Sequence, residues 1–234
     1  IEGSIERVFK NKEKPLLKTP SIKTHNPARN INDPENYLIL EERKHGTYEY
    51  PDLLVSMERT HQNRNWIETW QALRDENYFM LTIRQYVDFL NMLRSGKAFN
   101  GKGDKVDSRK LHDLYNDITE VRNPLRGEWL DARFDNKNII YHVLDGHQLK
   151  EVSESLENYL MQDKRIDIQY WLKNANGQGI PKPDTKDGPL YYWHPIDGKV
   201  ARFLADSDGA DLLCGGNPDL RGGWLGVRPS RAKN

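Results

Sequence analysis

The stretch from Lys199 to Arg228, KVARFLADSDGADLLCGGNPDLRGGWLGVR, alternates with period two and constrains the fold more than any other part of the chain. Ala201, Phe203 and Ala205 fall on one face of its first arm, with Val200, Arg202 and Leu204 on the other. Asp208-Gly209 is a turn signal. After it, Ala210, Leu212 and Cys214 share a face, while Asp211, Leu213 and Gly215 point the opposite way. One face is uniformly small or apolar, and the other is chemically mixed. A sheet that buries the first face in a core must turn the second outward. An outward face ending in Arg221, Gly222, Gly223 and Trp224 suits contact with a partner better than it suits chemistry.

A chain of 234 residues is long enough for one large domain. Its hydrophobic share, 36%, is low, but six Trp, eleven Tyr and six Phe supply large pieces for a core. Thirty-five basic residues balance 35 acidic ones. That zero net charge argues against a dedicated nucleic-acid binder, whose affinity rests on neutralising phosphates. The single cysteine, Cys214, excludes an intrachain disulfide framework and a thiolate-rich zinc site. No apolar run reaches the roughly 20 residues that span a membrane, and no signal-peptide core is visible, so a soluble protein is expected. The opening Ile1-Glu2-Gly3 resembles the remnant of a protease-site tag.

Residues 1–36 carry Pro15, Pro20, Pro27 and Pro34 with few large apolar groups, and read as an extended arm. The remainder, 37–234, reads as a single domain. Tyr37 to Leu40 and Tyr48 to Val55 are expected strands around a His45-Gly46 turn, with Pro51 splitting the second or placing it at an edge. Trp66, Ile67, Trp70 and Leu73 form a helical stripe. Thr82 and Gln85 form a capping box ahead of Ile83, Tyr86, Val87, Leu90 and Leu93, and Gly96 stops that helix. A second helix is expected over Ser108 to Ile118. Asp145-Gly146 then signals a hairpin between Asn138 to Leu144 and His147 to Val152. Two early helices and late hairpins predict an α+β fold.

Catalytic constellations are scarce. None of the seven histidines shows H-E-x-x-H spacing. His142 and His147 flank the Asp145-Gly146 turn and could face each other across the hairpin, but a half-exposed strand histidine is the better reading of each. Asp206, Asp208 and Asp211 do not follow the order of a calcium loop, whose twelfth position would here be Asn217. The loop from Asn100 to Lys105 lacks the ending of a phosphate-binding loop. Cys214, on the apolar face, reads as a small core hydrophobe. No cofactor and no metal site are expected.

Three stretches in order carry a family resemblance. Met80 to Arg94 (MLTIRQYVDFLNMLR) resembles the early capped helix of the formylglycine-generating-enzyme branch of C-type lectin folds. Gly127 to Asp131 (GEWLD) resembles the Trp-centred motif of that branch, and Gly222 to Arg228 resembles its closing strand. The composite of ARF-x-A-DSD-x-A-x-L-x-C, Pro218 and LGVR is similar to the variable proteins of archaeal diversity-generating retroelements. The resemblance covers residues 75–234.

It implies a C-type lectin-like fold whose C-terminal sheet, antiparallel, presents a face rewritten by adenine-directed reverse transcription, within a ligand-binding segment of about 192–228. Carried over by position, the diversified set is Arg202, Leu204, Gly209, Asp211, Leu213, Gly215, Gly216, Asn217, Asp219, Leu220, Arg221, Gly222, Gly223 and Trp224, with Tyr192 and His194 as further members. Ala201, Phe203, Ala205, Ala210, Leu212, Cys214, Leu225 and Val227 would be the fixed scaffold. The paired cysteines of the enzyme branch and the Glu-Pro-Asn and Trp-Asn-Asp triplets of calcium-dependent lectins are absent from the sequence. A non-enzymatic protein that meets an unknown protein or surface ligand is therefore expected, and it could act as a monomer. The alternatives are a metal-dependent enzyme using His142 and His147, or a structural protein of a virion.

Overall fold

The computed structural model describes residues 33–146 and 148–233. Of the expected N-terminal arm only its last residues are described, where Pro34–Asn36 form a 3-10 turn capped by Asp33; residues 1–32 lie outside the described residues. Four short strands follow: β1 (Tyr37–Leu40), β2 (Arg43–His45), β3 (Tyr48–Tyr50) and β4 (Leu53–Ser56). Pro51 does split the second expected run, since β3 ends before it and β4 begins after it.

Three helices come next. α1 (Trp66–Asp75) starts with a capping box in which Asn65 Oδ1 accepts from the Glu68 N–H at 2.9 Å and the Asn65 N–H donates back to Glu68 Oε2 at 3.1 Å. α2 (Ile83–Ser95) carries the expected Thr82–Gln85 box and ends at Gly96, which takes the left-handed conformation at φ 66°. α3 (Ser108–Thr119) is capped by Asp107. A fourth helix appears later, so the sequence expectation of two is corrected to four α-helices among the described residues. The long α2 is buried along almost its whole length, Arg84, Gln85 and Asp88 included. Asp88 is satisfied there by Arg84 Nη2 at 2.8 Å, Tyr50 Oη at 2.7 Å and His45 Nε2 at 2.8 Å.

The rest is mostly sheet: β5 (Arg126–Asp135), β6 (Asn138–Asp145), β7 (Gln148–Ser155), β8 (Lys164–Ile166), the helix α4 (Ile168–Asn174), then β9 (Leu190–Trp193), β10 (Val200–Asp206), β11 (Gly209–Gly216), β12 (Leu225–Gly226) and β13 (Ser230–Ala232). The main sheet runs β7-β6-β5-β10-β11-β9-β8, with β12 paired in parallel beside β5. A small sheet, β1-β4-β13, ties the chain's late residues to its early ones. The main sheet is mixed rather than antiparallel. β9 and β10 run oppositely with β11 between them, so β11, which reverses β10, lies parallel to β9. The α+β class holds. Among the described residues no helix is long and apolar enough to cross a membrane.

The expected hairpin forms as β10 and β11, and its register pairs Phe203 with Leu212 and Ala205 with Ala210. Its turn is one residue earlier than the sequence signal: Asp206 pairs with Gly209 across Ser207-Asp208. The apolar face packs inward, with Phe203 between the rings of Tyr86 at 5.4 Å and Trp171 at 6.4 Å. Ala201, Leu212 and Cys214 are fully buried beside it. Burial of each large side chain here is worth about 1.5–3 kcal/mol. A second apolar cluster lies against the opposite face of the sheet, gathering Trp66 and Leu73 of α1, Trp129, Leu225 and Val227.

Candidate functional site

The outer face of the hairpin is built as two rows of cross-strand neighbours. Strand register places Trp193, Leu213, Arg202 and Trp129 side by side across β9, β11, β10 and β5. The adjacent row runs Arg165, Tyr191, Asp211, Leu204 and Gly127. Directly opposite residues sit about 5 Å apart, close enough for these side chains to interact. Tyr191 and Trp193 pack with centroids 4.6 Å apart, and the Arg165 guanidinium lies 5.5 Å over the Tyr191 ring.

Trp224 closes one end. A Cβ at Gly127 would come within 2.8 Å of the Trp224 ring, so only glycine lets the indole lie there. The Trp224 carbonyl accepts from the Gly127 N–H at 2.9 Å and from Arg59 Nη1, which also donates to the Gly127 carbonyl at 2.7 Å. The loop that carries Trp224 is fastened further by Asn63 N–H to the Gly222 carbonyl at 3.1 Å, by Trp66 N–H to the Pro218 carbonyl at 3.0 Å and by an Arg221–Glu68 ion pair. Residues 59–68 therefore brace the outer face.

Each face of the sheet holds a buried arginine. Inside, Arg228 donates to Glu128 Oε1 at 2.7 Å and to the Ser56 carbonyl at 2.9 Å. Burial alone would push the Glu128 carboxyl up, but Arg228 and Arg126 hold it down at about 2. Outside, Arg202 has its Nε and Nη1 buried with no hydrogen-bond partner among the described residues. Its guanidinium sits 5.8 Å from the Trp129 centroid and 5.7 Å from that of Trp224. Desolvation lowers the Arg202 pKa to about 10. Nearby Asp211 is pushed up to about 7 by burial and by Asp206, while the Trp193 indole donates to its Oδ2 at 3.4 Å.

Several sequence expectations need correction. The outer face is not open along its centre: Arg202, Leu204 and Leu213 are only 6–7% exposed. β10 and β11 lie inside an eight-stranded sheet, and large neighbours in both rows crowd their side chains. Tyr192 faces inward, fully buried, with its hydroxyl donating to the Leu160 carbonyl at 3.0 Å. Gly209 and Gly216 are also buried. At φ 130° Gly209 holds a backbone conformation that strains any L side chain, which sets it apart from the positions expected to vary. Cβ atoms at Gly215, Gly216 and Gly222 would meet Ile196 at 2.9 Å, the Val200 carbonyl at 2.7 Å and the Trp224 indole at 2.5 Å, whereas one at Gly223 would make only an ordinary contact with Asn63 at 3.6 Å.

The remaining predicted residues surround this centre. Asn217, Asp219 and Arg221 are exposed, Leu220 packs on the second apolar cluster, and His194 Nδ1 pairs with Asp163 at 2.7 Å. Tyr191, Trp193, Arg165, Trp129 and Ile196 were missed. The alternation of Tyr191, Tyr192 and Trp193 was the available signal, once Tyr192 is assigned inward.

His142 stands elsewhere. Its partner across the β6–β7 hairpin is Glu151 rather than His147, which lies outside the described residues. Its Nδ1 faces Asp131 Oδ1 at 3.1 Å, and its ring packs on Trp70 at 4.9 Å. Among the described residues no group of three or more His, Cys, Asp or Glu could hold a metal ion. No family model, curated protein or solved structure matches this chain.

Proposed function

We propose that this chain is a non-enzymatic recognition protein with a C-type lectin fold, whose outer sheet face is rewritten by a diversity-generating retroelement. One observation carries the reading. The two rows on the outer face combine Arg, Asp, Leu and Trp with the half-buried aromatics Tyr191, Trp193 and Trp224 around them, while the inner face of β10 and β11 is uniformly small or apolar. Interfaces draw most of their energy from such aromatic and arginine anchors. A rigid sheet holds them at little cost in conformational freedom.

The deciding test is genomic. A near-repeat of the coding segment for residues 200–228 should lie beside a reverse transcriptase gene, with mismatches confined to adenines. Those mismatches should fall on codons 202, 204, 211, 213, 217 and 219–224, and spare Ala201, Phe203 and Leu212. Absence of the repeat in a complete genome, or mismatches spread over the inner positions, would refute the assignment.

A further inference from the structure

We infer that Arg202 is a carboxylate-binding position: an acidic side chain of a protein partner, docking on the outer face, supplies the acceptors that its guanidinium lacks. This rests on the recognition reading above and adds to it the chemistry of the partner.

The motive is an anomaly among the buried arginines. Arg84 has Asp88 at 2.8 Å, Arg126 has Asp117 at 3.1 Å as well as Glu128, and Arg228 has Glu128 at 2.7 Å. Arg202, 6% exposed, makes no ion pair among the described residues, and two of its nitrogens are buried there without an acceptor. A buried charge left unpaired is strongly unfavourable, so a protein keeps one where something outside the free chain satisfies it. The rings of Trp129 and Trp224 attract the cation but offer no acceptor in the guanidinium plane. Asp211, one row away, forms no ion pair with it and is engaged by the Trp193 indole.

The surroundings select the ligand. A carboxylate matches the planar fork of a guanidinium with two oxygens. Asp206, Asp208 and Asp211 around the turn would repel a doubly charged phosphate more than a single carboxylate. The site lies on a sheet face rimmed by Trp193, Trp224 and Ile196, the composition of a protein interface. A small-molecule-sized cavity of about 760 Å³ lies elsewhere, against Arg74, Tyr78 and Arg231. A docking carboxylate would have to displace the half-buried Trp224 ring, 5.7 Å from the guanidinium, while the Trp224 backbone stays pinned by Arg59.

The test is selection of a random-peptide display library against the full chain and against Arg202→Met, with thermal melts of both. Wild-type selections should enrich Asp or Glu at one fixed position. Exchanging that residue for Asn or Gln should weaken a selected peptide about tenfold or more, the scale of a charge-assisted bond. Arg202→Met should lose the same factor while melting no lower than wild type, and Arg202→Lys should fall between. Selections without acidic enrichment, or acidic peptides that bind Arg202→Met equally well, would overturn the inference and leave the recognition face standing. An Arg202→Met melt well below wild type would also overturn it, by making the arginine a structural prop. Peptides indifferent to Trp193→Ser and Trp224→Ser as well would overturn the recognition reading itself.

Discussion

Arg228 and Arg202 lie on opposite faces of one sheet, both withdrawn from water, and they are treated in opposite ways. Arg228 is clasped by Glu128 and a backbone carbonyl, in a cluster that Arg126 completes. Arg202 has two tryptophan rings and no acceptor. The difference teaches that burial alone does not tell what a charge is for. On the inner face it joins β5 to the closing strand region, and removing one partner strands the others. On the outer face it is buried and unsatisfied, with the burial-raised Asp211 one row away.

Glu128→Gln should break the inner side hardest. It leaves Arg126 and Arg228 buried without their shared anion, at a cost of about 3–5 kcal/mol in a denaturant titration. The wild type should show the matching pH dependence. The Glu128 carboxyl is held at about 2 against an ordinary 4.5, so its contribution is present above pH 4.5 and lost as pH falls through about 2. Acid unfolding monitored by tryptophan fluorescence should steepen in that window, and Glu128→Gln should flatten it.

Neighbouring leucines on opposite faces sharpen the comparison next. Leu212→Ala empties a site within the main apolar core and should cost about 2–5 kcal/mol. Leu213→Ala, in the row of Arg202 and outside both apolar clusters, should cost about 1–2 kcal/mol. Asp211→Asn should act in the opposite direction. Because the folded carboxyl titrates near 7 rather than 3.8, the wild type loses stability as pH rises through that interval. The variant should therefore melt higher than wild type at pH 8, with the gap closing near pH 4. Trp193→Ser should change stability least, by about 0.5–1 kcal/mol, while weakening any selected ligand.

What the sequence disclosed was local. The two faces of β10 and β11, the Thr82–Gln85 cap, the Gly96 stop and the buried Cys214 each follow from a handful of adjacent residues, and each is found in place. The parity of Tyr192 was misjudged because β9 pairs in parallel with β11, a register set by a crossover rather than by neighbouring residues. The cover over the outer face was invisible for the same reason. Arg59, Asn63 and Glu68 reach residues 221–224 from more than 150 positions earlier in the chain. The pairing of His142 with Asp131 likewise needed the register of β5 and β6 before it could be seen.

The central proposal is that the inner face holds the fold while the outer face meets a partner. Paired thermal melts of Arg228→Met and Arg202→Met put that to the most direct test. Arg228→Met should melt far below wild type, because Glu128 loses its strongest counter-charge. Arg202→Met should melt level with wild type or above it. Equal losses in the two variants would contradict the division between the faces.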